Sequence, residues 1–269
     1  MAKWNRYFAK PTFHLSFCWG KGLKVSQTTM EGTPRWMRGM RLLFAADFHL
    51  RESVPDAALE RLVELMRRQQ ADMLLFGGDF AESRDQQDRM FRALSALRPP
   101  LGMFCCPGNN DWECFPNRRA MRGVVTRAGG HLLVNRACSI ALDGGVIVVA
   151  GLDERKFGQP RLKGLLPPAN QNRYRILLSH YPVLPEEPGA QWPDLMLSGH
   201  THGGQLNALG ITPYTLPWME RRQMPDGPLC VSGQICLKDM RLLVSNGIGW
   251  SRLPLRVCAR PQIHLLNFD

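Results

Sequence analysis

The chain contains a series of short apolar runs, each four or five residues long and each followed by polar positions. Runs of this length, without polar alternation, are typical of strands buried on both faces of a sheet. They predict interior strands at 42–46, 73–76, 102–106, 174–178 and 194–197.

Amphipathic segments separate the first of these runs. Ser53-Val54-Pro55-Asp56 is a helix-start signal, and apolar residues then recur at helical spacing from Leu59 to Met66. Further helices are predicted at 85–97, before Pro99, and at 118–128, before Gly129. Additional strands are predicted at 132–134, 139–142, 146–150, 242–244 and 263–268. The N-terminal half is therefore β-α-β-α-β, the C-terminal half is richer in strands, and the fold class is α/β.

Residues able to bind a metal follow all five apolar runs. They are Asp47 and His49, then Asp79, then Asn109, then His180, and finally His200 and His202. In open α/β sheets, sites form just beyond the carboxyl ends of the strands, so all of these side chains could meet at one sheet edge.

Each of these residues also has a simpler interpretation when taken alone. An Asp or Asn commonly caps a loop, and a His pair such as His200-Thr201-His202 is often a surface feature. Five coincidences with one geometry favour a common site. Oxygen and imidazole ligands suit Mn, Zn or Fe rather than Ca²⁺ or a thiolate site. Seven ligands imply two divalent ions, because one ion rarely takes so many from the protein.

The order Asp-x-His, Gly-Asp, Gly-Asn-x-Asp, a lone His and Gly-His-x-His resembles the signature of the calcineurin-like metallophosphoesterases. The similarity runs from about Arg41 to the C-terminus. The segments 195–205, 244–249 and 253–261 are most similar to the bacterial phosphodiesterase branch called YkuE-like or YaeI-like.

This resemblance implies a four-layer α/β/β/α sandwich, two mixed sheets packed face to face with helices outside. It also implies two ions, most simply Mn, with Zn or Fe as alternatives. By this resemblance Asp79 would bridge both ions, Asp47, His49 and His202 would complete one site, and Asn109, His180 and His200 would complete the other. The metal pair would supply a shared hydroxide as the nucleophile for the phosphoryl group, so no covalent enzyme intermediate would be needed.

One position departs from the family pattern. Asn110 stands where the family usually has a His that protonates the leaving group, and an amide has no useful proton to give. Asp79, Asn109 and Asn110 are thus the catalytic candidates. Loss of the acid matters least when the leaving group is itself a phosphate, which favours a pyrophosphate linkage or another activated ester. The open alternative is that another residue or water supplies the proton.

Other residues near the motifs have weaker assignments. Asp111 is expected to cap or orient the Asn109 loop, and Asp153 is either a partner of the metal ligands or a turn residue. Arg51, Arg118 and Arg119 are candidates to bind substrate phosphate, against the simpler interpretation of solvated charges.

Basic charge is concentrated at the start of the chain. The whole chain has a net charge of +11, and residues 1–41 hold eight Lys and Arg residues but one acid, Glu31. The same stretch is rich in Trp, Tyr and Phe. We divide the chain into a basic aromatic arm, 1–40, and a metallophosphoesterase domain, 41–269. The arm either packs on the domain, or lies on an anionic membrane surface, or, less favoured, binds nucleic acid.

Length and composition fit one globular enzyme domain. The chain has 269 residues, and its longest apolar run, 146–152, is far shorter than the ~18 residues that a membrane span needs. No signal peptide is recognised, and the eight cysteines lack zinc-ribbon or CxxC spacing, which indicates free thiols in a reducing compartment. A cytoplasmic protein is expected, with the inner membrane surface as a possible contact. Segment 207–228, rich in Pro, Trp and Met, is either an apolar flap over the site or a surface excursion.

Three functions follow in order of preference. The first is a phosphohydrolase of a phosphodiester or pyrophosphate, with UDP-2,3-diacylglucosamine hydrolysis in lipid A biosynthesis as the specific hypothesis. The second is a broad phosphodiesterase acting on nucleotides, nucleic acid or phospholipid headgroups. The third is a metal-poor scaffold, which a complete ligand set argues against. The partner in the preferred case is a phosphorylated small molecule or a lipid-linked substrate.

Overall fold

The computed structural model describes most of the chain. The described residues are 15–19, 22–115, 117–185, 187–207, 212, 230–251 and 253–269. Most of the predicted flap, 208–211 and 213–228, lies outside this part, as do residues 1–14, 20 and 21 of the predicted arm.

Two six-stranded mixed sheets pack face to face. The first sheet has the order β2-β14-β3-β4-β5-β6. Its strands are β2 (Lys24–Met30), β3 (Arg41–Ala45), β4 (Met73–Phe76), β5 (Met103–Cys105), β6 (Gly130–Leu132) and β14 (Gln262–Phe268). Strands β3 to β6 are parallel, whereas β14 is antiparallel to β3 and parallel to β2.

The second sheet has the order β11-β12-β10-β9-β8-β7. Its strands are β7 (Arg136–Leu142), β8 (Gly145–Gly151), β9 (Arg173–Leu178), β10 (Leu195–Ser198), β11 (Gly233–Leu237) and β12 (Met240–Val244). The four inner strands are parallel, and the edges β7 and β11 are antiparallel. A third, two-stranded sheet joins β1 (Leu15–Phe17) to β13 (Leu255–Val257).

Apolar side chains from both sheets fill the space between them. Leu42 and Phe44 of the first sheet and Ile147, Val149 and Ile176 of the second are fully buried in this cluster. Strands buried on both faces need continuous apolar runs, which is why the unalternating pattern predicted them correctly.

The helices cover the outer face of the first sheet. They are α1 (Asp56–Arg68), α2 (Arg84–Leu94), α3 (Asn109–Cys114) and α4 (Arg118–Arg127). The Ser83 hydroxyl caps α2 by accepting from Gln86 N, and the Asn117 side chain caps α4 by accepting from Ala120 N. Buried apolar residues of α1, α2 and α4 form one cluster with β3, β4 and β5.

The outer face of the second sheet is covered differently. Among the described residues no helix packs there, and the irregular segment that carries Leu162 and Leu166 packs on β8, β9 and β12 instead. The predicted α/β class with two packed mixed sheets is confirmed. Among the described residues, this irregular segment covers the second sheet in place of the predicted helices.

Part of the predicted arm belongs to the sheets. Within the predicted arm, β2 pairs with β14 over seven residues, from Lys24 opposite Gln262 to Met30 opposite Phe268. In the described part of the chain, no helix is long and apolar enough to cross a membrane.

Candidate metal centre

The candidate ligands lie at the carboxyl ends of five parallel strands. Asp47 follows β3, Asp79 follows β4, Asn109 follows β5, His180 follows β9 and His200 follows β10. The first three strands belong to one sheet and the last two to the other, so the centre lies where both packed sheets present the same edge. His202 follows on a short 3-10 helix, His202–Gly204.

The backbone at these residues is unusual. Five non-glycine candidates have positive φ angles: Asp47 (50°), His49 (43°), Asp79 (54°), His200 (68°) and His202 (52°). Side chains disfavour this region, and such conformations cluster at functional sites because the surrounding structure must hold them.

Two glycines leave room for the carboxylates. A Cβ on Gly108 would lie 2.1 Å from Asp79 Oδ1, and a Cβ on Gly199 would lie 2.3 Å from Asp47 Oδ2. Only glycine allows this approach. Steric contact with these carboxylates therefore explains why the Gly-Asn-x-Asp and Gly-His-x-His motifs of this chain begin with glycine.

Asp47, His49 and His202 form one group that could hold a cation. Their ligand atoms lie within 4.8 Å of one another, and all three residues are buried. His49 Nε2 is 3.0 Å from His202 Nε2, and His202 Nε2 is 3.7 Å from Asp47 Oδ1. Two ring nitrogens converge here on one carboxylate.

Asp47, Asp79 and His180 form the second such group, so the groups share Asp47. Asp79 Oδ2 lies 3.4 Å from His49 Nε2 and 3.3 Å from His180 Nε2, so this oxygen also contacts a residue of each group. His200 Nδ1 is 3.2 Å from His180 Nε2. The bridging role that the resemblance gives to Asp79 remains a proposal.

Asn109 and Asn110 close the side of the centre formed by α3. Asn109 Nδ2 donates to Asn110 Oδ1 at 2.7 Å, while Asn109 Oδ1 is buried without a hydrogen-bond partner among the described residues. Asn110 N donates to Asp79 Oδ1 at 2.9 Å. A buried acceptor without a donor is costly, and a cation would satisfy it.

The residues present fit a pair of divalent ions. The donor set is carboxylate, amide oxygen and imidazole, which suits Mn, Zn or Fe. His180 Nδ1 donates to Gly77 O at 2.8 Å, which leaves Nε2 of the neutral ring as a lone pair directed at Asp79. His49 Nδ1 faces Glu82 Oε1, which leaves His49 Nε2 equally available.

Charge on the histidines is set by burial and by these carboxylates. Burial opposes protonation of His180, but the charges of Asp79 and Asp47 outweigh it and raise the pKa of His180 to about 10. Burial, reinforced by the charge of His180, lowers the pKa of His200 to about 3. Burial also opposes the charge on Asp79, yet His180 and His49 hold its pKa well below the usual range. Without metal, protons therefore balance the buried carboxylates.

Glu82 belongs to the centre and was not predicted. Its Oε1 accepts from His49 Nδ1 and from Asn110 Nδ2, the latter at 2.7 Å, and lies 3.3 Å from Arg51 Nη2. The available signal was an acid three residues after Asp79, but acids in loops are too common for that spacing to single it out.

Asp111 ties the loops of the centre together, as expected for a residue that orients the Asn109 loop. Its carboxylate accepts from Asp79 N at 2.8 Å, Phe80 N at 3.0 Å and Gly108 N at 2.8 Å, and also from the side chain of Gln87. Burial, with the charge of Asp79, raises the pKa of Asp111 to about 6.

Arg256 is a second unpredicted participant. This fully buried side chain donates to His202 O at 3.1 Å, to Ala259 O at 3.2 Å and to the carbonyls of Gly249 and Asn246. Its Nη2 lies 3.0 Å from His202 Nδ1. Arg256 thus fixes both the backbone and the ring of His202.

The predicted substrate-binding arginines occupy different surroundings. Arg51 contacts Glu82, donates to Ser251 O at 3.0 Å and lies over the Trp250 ring. Arg118 forms an ion pair with the buried carboxylate of Asp153 and lies over the Trp112 ring. Arg119 is exposed at the start of α4. A role for any of the three in binding substrate remains a proposal.

Comparison with known proteins places this arrangement in a family. The model of the calcineurin-like phosphoesterases matches residues 40–204. The chain is 27% identical over 247 residues to the uncharacterized metallophosphoesterase YkuE of Bacillus subtilis, covering 90% of this chain and 84% of that protein. It is 30% identical over 237 residues to the phosphodiesterase YaeI of Escherichia coli, covering 84% of this chain and 81% of that protein.

A third relative carries a more specific name. The chain is 25% identical over 293 aligned positions to the UDP-2,3-diacylglucosamine pyrophosphatase LpxG of Chlamydia trachomatis, covering 86% of this chain and 84% of that protein. The family match spans more than half of the chain and includes all seven candidate ligands, and the predicted resemblance is confirmed. The chain belongs to the calcineurin-like phosphoesterases, a family of metal-dependent hydrolases of phosphoric esters.

Proposed function

We propose that this protein is a two-metal phosphohydrolase that cleaves a phosphodiester or pyrophosphate bond. The observation that carries the proposal is the convergence of buried carboxylates and imidazole nitrogens within 4.8 Å at one sheet edge. Asp47, His49 and His202 would hold one ion, Asn109, His180 and His200 the other, and Asp79 both. A bound metal pair supplies an activated water at neutral pH and a clamp for the attacked phosphoryl group.

The chain's own residues prepare this site by fixing ring tautomers. Glu82 and Gly77 O accept the Nδ1 protons of His49 and His180, so that both rings present Nε2. Partners of this kind raise the basicity and fix the orientation of metal-binding histidines. Asn110 holds Glu82 in place, which gives this amide a positioning role.

The absence of an acid at Asn110 bears on the leaving group. Its Nδ2 donates to Glu82 and lies 3.2 Å from His49 Nδ1, so the side chain offers an amide and no titratable proton. General acid help is typically worth ~10²–10⁴-fold in rate, and its loss is least felt when a phosphate leaves. We therefore favour a pyrophosphate or another activated linkage as the natural bond.

Asn110→His tests this argument, because a ring at this position would face Glu82. We expect at least about a tenfold rise in kcat on a simple alkyl diester and little change on a pyrophosphate substrate. Asn110→Gln, which keeps the amide, is the matched control. A diester rate that does not rise in Asn110→His contradicts the argument.

UDP-2,3-diacylglucosamine hydrolysis in lipid A biosynthesis is the specific substrate that we favour. It fits the missing acid and the basic, aromatic residues 1–40, and the chlamydial relative is named for this activity. Such a substrate is lipid-linked, so a cytoplasmic enzyme with peripheral contact at the inner membrane surface belongs to this proposal.

The YaeI relative, named a phosphodiesterase, favours the broader alternative of a phosphodiesterase on nucleotides, nucleic acid or phospholipid headgroups. A panel with Mn²⁺ separates the two. UDP-2,3-diacylglucosamine, a cyclic nucleotide, a glycerophosphodiester and bis(4-nitrophenyl) phosphate are compared by kcat/KM. Preference for the first supports lipid A synthesis, and preference for a diester supports the alternative.

Metal analysis of the purified protein tests the scaffold hypothesis. We expect two divalent ions per chain after incubation with Mn²⁺, and loss of both binding and activity in Asp79→Asn. Near-zero bound metal together with no turnover of the aryl diester would favour a scaffold over an enzyme.

A further inference from the structure

A cleft with an excess of positive charge lies beside Asp153, which follows β8. Its volume is about 640 Å³. Four cationic side chains line it, namely Arg118, Arg136, Arg161 and Lys163, and these define the basic cleft. Asp153 is the one carboxylate among its lining residues.

That carboxylate is already fully engaged by the protein. Asp153 Oδ1 accepts from Trp112 Nε1 at 3.0 Å and from Glu154 N at 2.9 Å. Its Oδ2 accepts from Gln159 N at 3.0 Å and pairs with Arg118. Asp153 therefore neutralises Arg118 and holds the wall of the basic cleft, and it has no oxygen left for the other three cations.

The other three cations have no acidic ion-pair partner among the described residues. Within the part of the chain that the structure describes, no carboxylate forms an ion pair with Arg136, Arg161 or Lys163, and all three residues are exposed. The contact of the Arg161 guanidinium is with Gln159 Oε1, at 3.3 Å. Several cations around one concavity attract an anion, and low-dielectric walls strengthen that attraction.

Two elements connect the basic cleft to the metal centre. α3 begins with Asn109 at the centre and reaches Trp112, which donates to Asp153, three residues later, a rise of about 4.5 Å along the helix axis. On the other side, Leu152 N donates to Leu178 O at 2.9 Å, and His180 and Asp153 follow those two residues. Neighbouring strands are ~4.8 Å apart, so the basic cleft begins about one strand beside the centre.

We propose that the basic cleft binds a second phosphate group of the substrate whose first phosphate is cleaved at the metal centre. The inference rests on the proposed function. The group that the basic cleft would recognise is a phosphate that lies one or a few bonds beyond the phosphate that is cleaved. It comes either from the neighbouring phosphate of a pyrophosphate-bridged nucleotide or from the next phosphodiester of a nucleic acid strand.

The test compares Arg161→Gln/Lys163→Gln with Arg35→Gln/Arg38→Gln. The control pair removes the same charge from exposed residues before β3, at the end of the sheet opposite the centre. The substrates with Mn²⁺ are bis(4-nitrophenyl) phosphate, which has one phosphate, UDP-N-acetylglucosamine, which has a pyrophosphate, and a 5′-phosphorylated thymidine dinucleotide. If charge-assisted hydrogen bonds hold the second phosphate, the cleft variant should bind it more weakly. We expect its KM to rise about tenfold more on a two-phosphate substrate than on the aryl diester.

The two-phosphate substrate with the larger rise in KM identifies the source of the second phosphate. A rise in KM that is equal in the cleft variant and in the control overturns the proposal. A rise in KM of the cleft variant that is equal on all three substrates also overturns it. If no substrate is turned over, the proposed function fails. In that case, phosphate binding by the basic cleft is still tested on the metal-free protein. The affinity for a fluorescein-labelled, 5′-phosphorylated thymidine oligonucleotide is measured by fluorescence anisotropy. Weaker binding in the cleft variant alone supports it, and equal binding overturns it.

Discussion

At the scale of single residues, Glu82 shows how a side chain outside the candidate ligand set can orient one of its members. One carboxylate oxygen accepts from the His49 ring and from Asn110, and it pairs with Arg51. If His49 presents Nε2 as a lone pair to a cation, its Nδ1 proton needs this acceptor. The Glu82 side chain is 27% exposed, so its contacts are accessible to mutation without opening the core.

Replacement of Glu82 tests that role. Glu82→Gln removes the charge but retains an acceptor, and partners of metal-binding histidines are typically worth about 10–100-fold in affinity. We expect Mn²⁺ affinity, measured by calorimetry, to decrease by a factor in that range. The unfolding midpoint of the metal-free protein should change little. Glu64→Gln, an exposed acid on α1, is the control. An unchanged Mn²⁺ affinity in Glu82→Gln would show that His49 is oriented by other contacts.

His264 provides a pH-dependent contribution to stability that is separate from the metal centre. It lies on β14 opposite Phe44, is 4% exposed, and its Nε2 has no partner among the described residues. Burial, with the charge of Lys24, lowers the pKa of His264 from 6.5 to about 4. The unfolded chain therefore binds this proton more readily than the folded one, and stability falls as the pH drops from 6.5 towards 4.

His264→Leu should remove that contribution. In EDTA, we expect the urea-unfolding free energy of the wild type to lose roughly 3 kcal/mol more than that of the variant between those pH values. Below pH 4 the two curves should run parallel. Parallel curves over the whole range would mean that the pKa of His264 is the same in the folded and the unfolded protein.

At the scale of elements, α3 joins two parts of the centre within six residues. Its first residues supply Asn109 and Asn110, and the Asp111 carboxylate fastens the helix start to the loop after β4. The close contact between Gly108 and Asp79 makes this junction sterically strict. The angle at which the chain enters α3 therefore determines where the Asp79 carboxylate can lie.

Gly108→Ala tests the junction. Gly108 has a φ of −102°, which alanine tolerates, so the steric clash with Asp79 is the main effect expected. We expect loss of Mn²⁺ binding and a destabilisation of about 1–3 kcal/mol, as for overpacking in a filled interior. Gly22→Ala, whose Cβ would meet its nearest neighbour at 3.9 Å, is the control. Unaltered metal binding in Gly108→Ala would show that the loop can move aside.

The same scale shows what could be predicted from sequence. Strands at 42–46, 73–76 and 146–150, and the helices of 85–97 and 118–128, were found because burial on two faces or on one stripe leaves a clear periodicity. α3 was not predicted, since it has six residues and four of them are polar, so it shows no apolar periodicity. β2 was missed because its residues are mostly exposed or half-buried, and only its pairing with β14 defines it.

The candidate ligands were predictable for a related reason, and their partners were not. Asp47, Asp79 and His180 stand directly after buried strands, where position in sequence implies position in space. Glu82 and Arg256 act through contacts between distant segments, and Arg256 reaches His202 from 54 residues away. No local pattern marks such a contact.

At the scale of the whole molecule, the proposed metal centre would be a stabilising link between the two sheets. Its candidate ligands follow β3, β4 and β5 of one sheet and β9 and β10 of the other. Ions that bind the folded chain alone stabilise it by mass action, about 2.7 kcal/mol per site at a hundredfold excess over Kd. Without them the buried carboxylates Asp47 and Asp79 rely on protons for balance.

Metal removal should therefore lower the melting temperature. We expect EDTA to reduce Tm by at least about 5 °C and Mn²⁺ to restore it, given the usual conversion for a domain of this size. Asp79→Asn should show no Mn²⁺-dependent rise in calorimetry. A wild-type Tm that is insensitive to both EDTA and Mn²⁺ would mean that the centre does not link the sheets energetically.

The position of β14 has a consequence for how this protein comes to be active. Residues 262–268 lie between β2 and β3, so the first sheet is incomplete until this strand, which is distant in sequence from both neighbours, has paired with them. A chain synthesised as far as His202 already carries every candidate ligand of the centre but lacks this strand. Catalytic competence should then arise only after β14 has paired, and not when the last candidate ligand has been added.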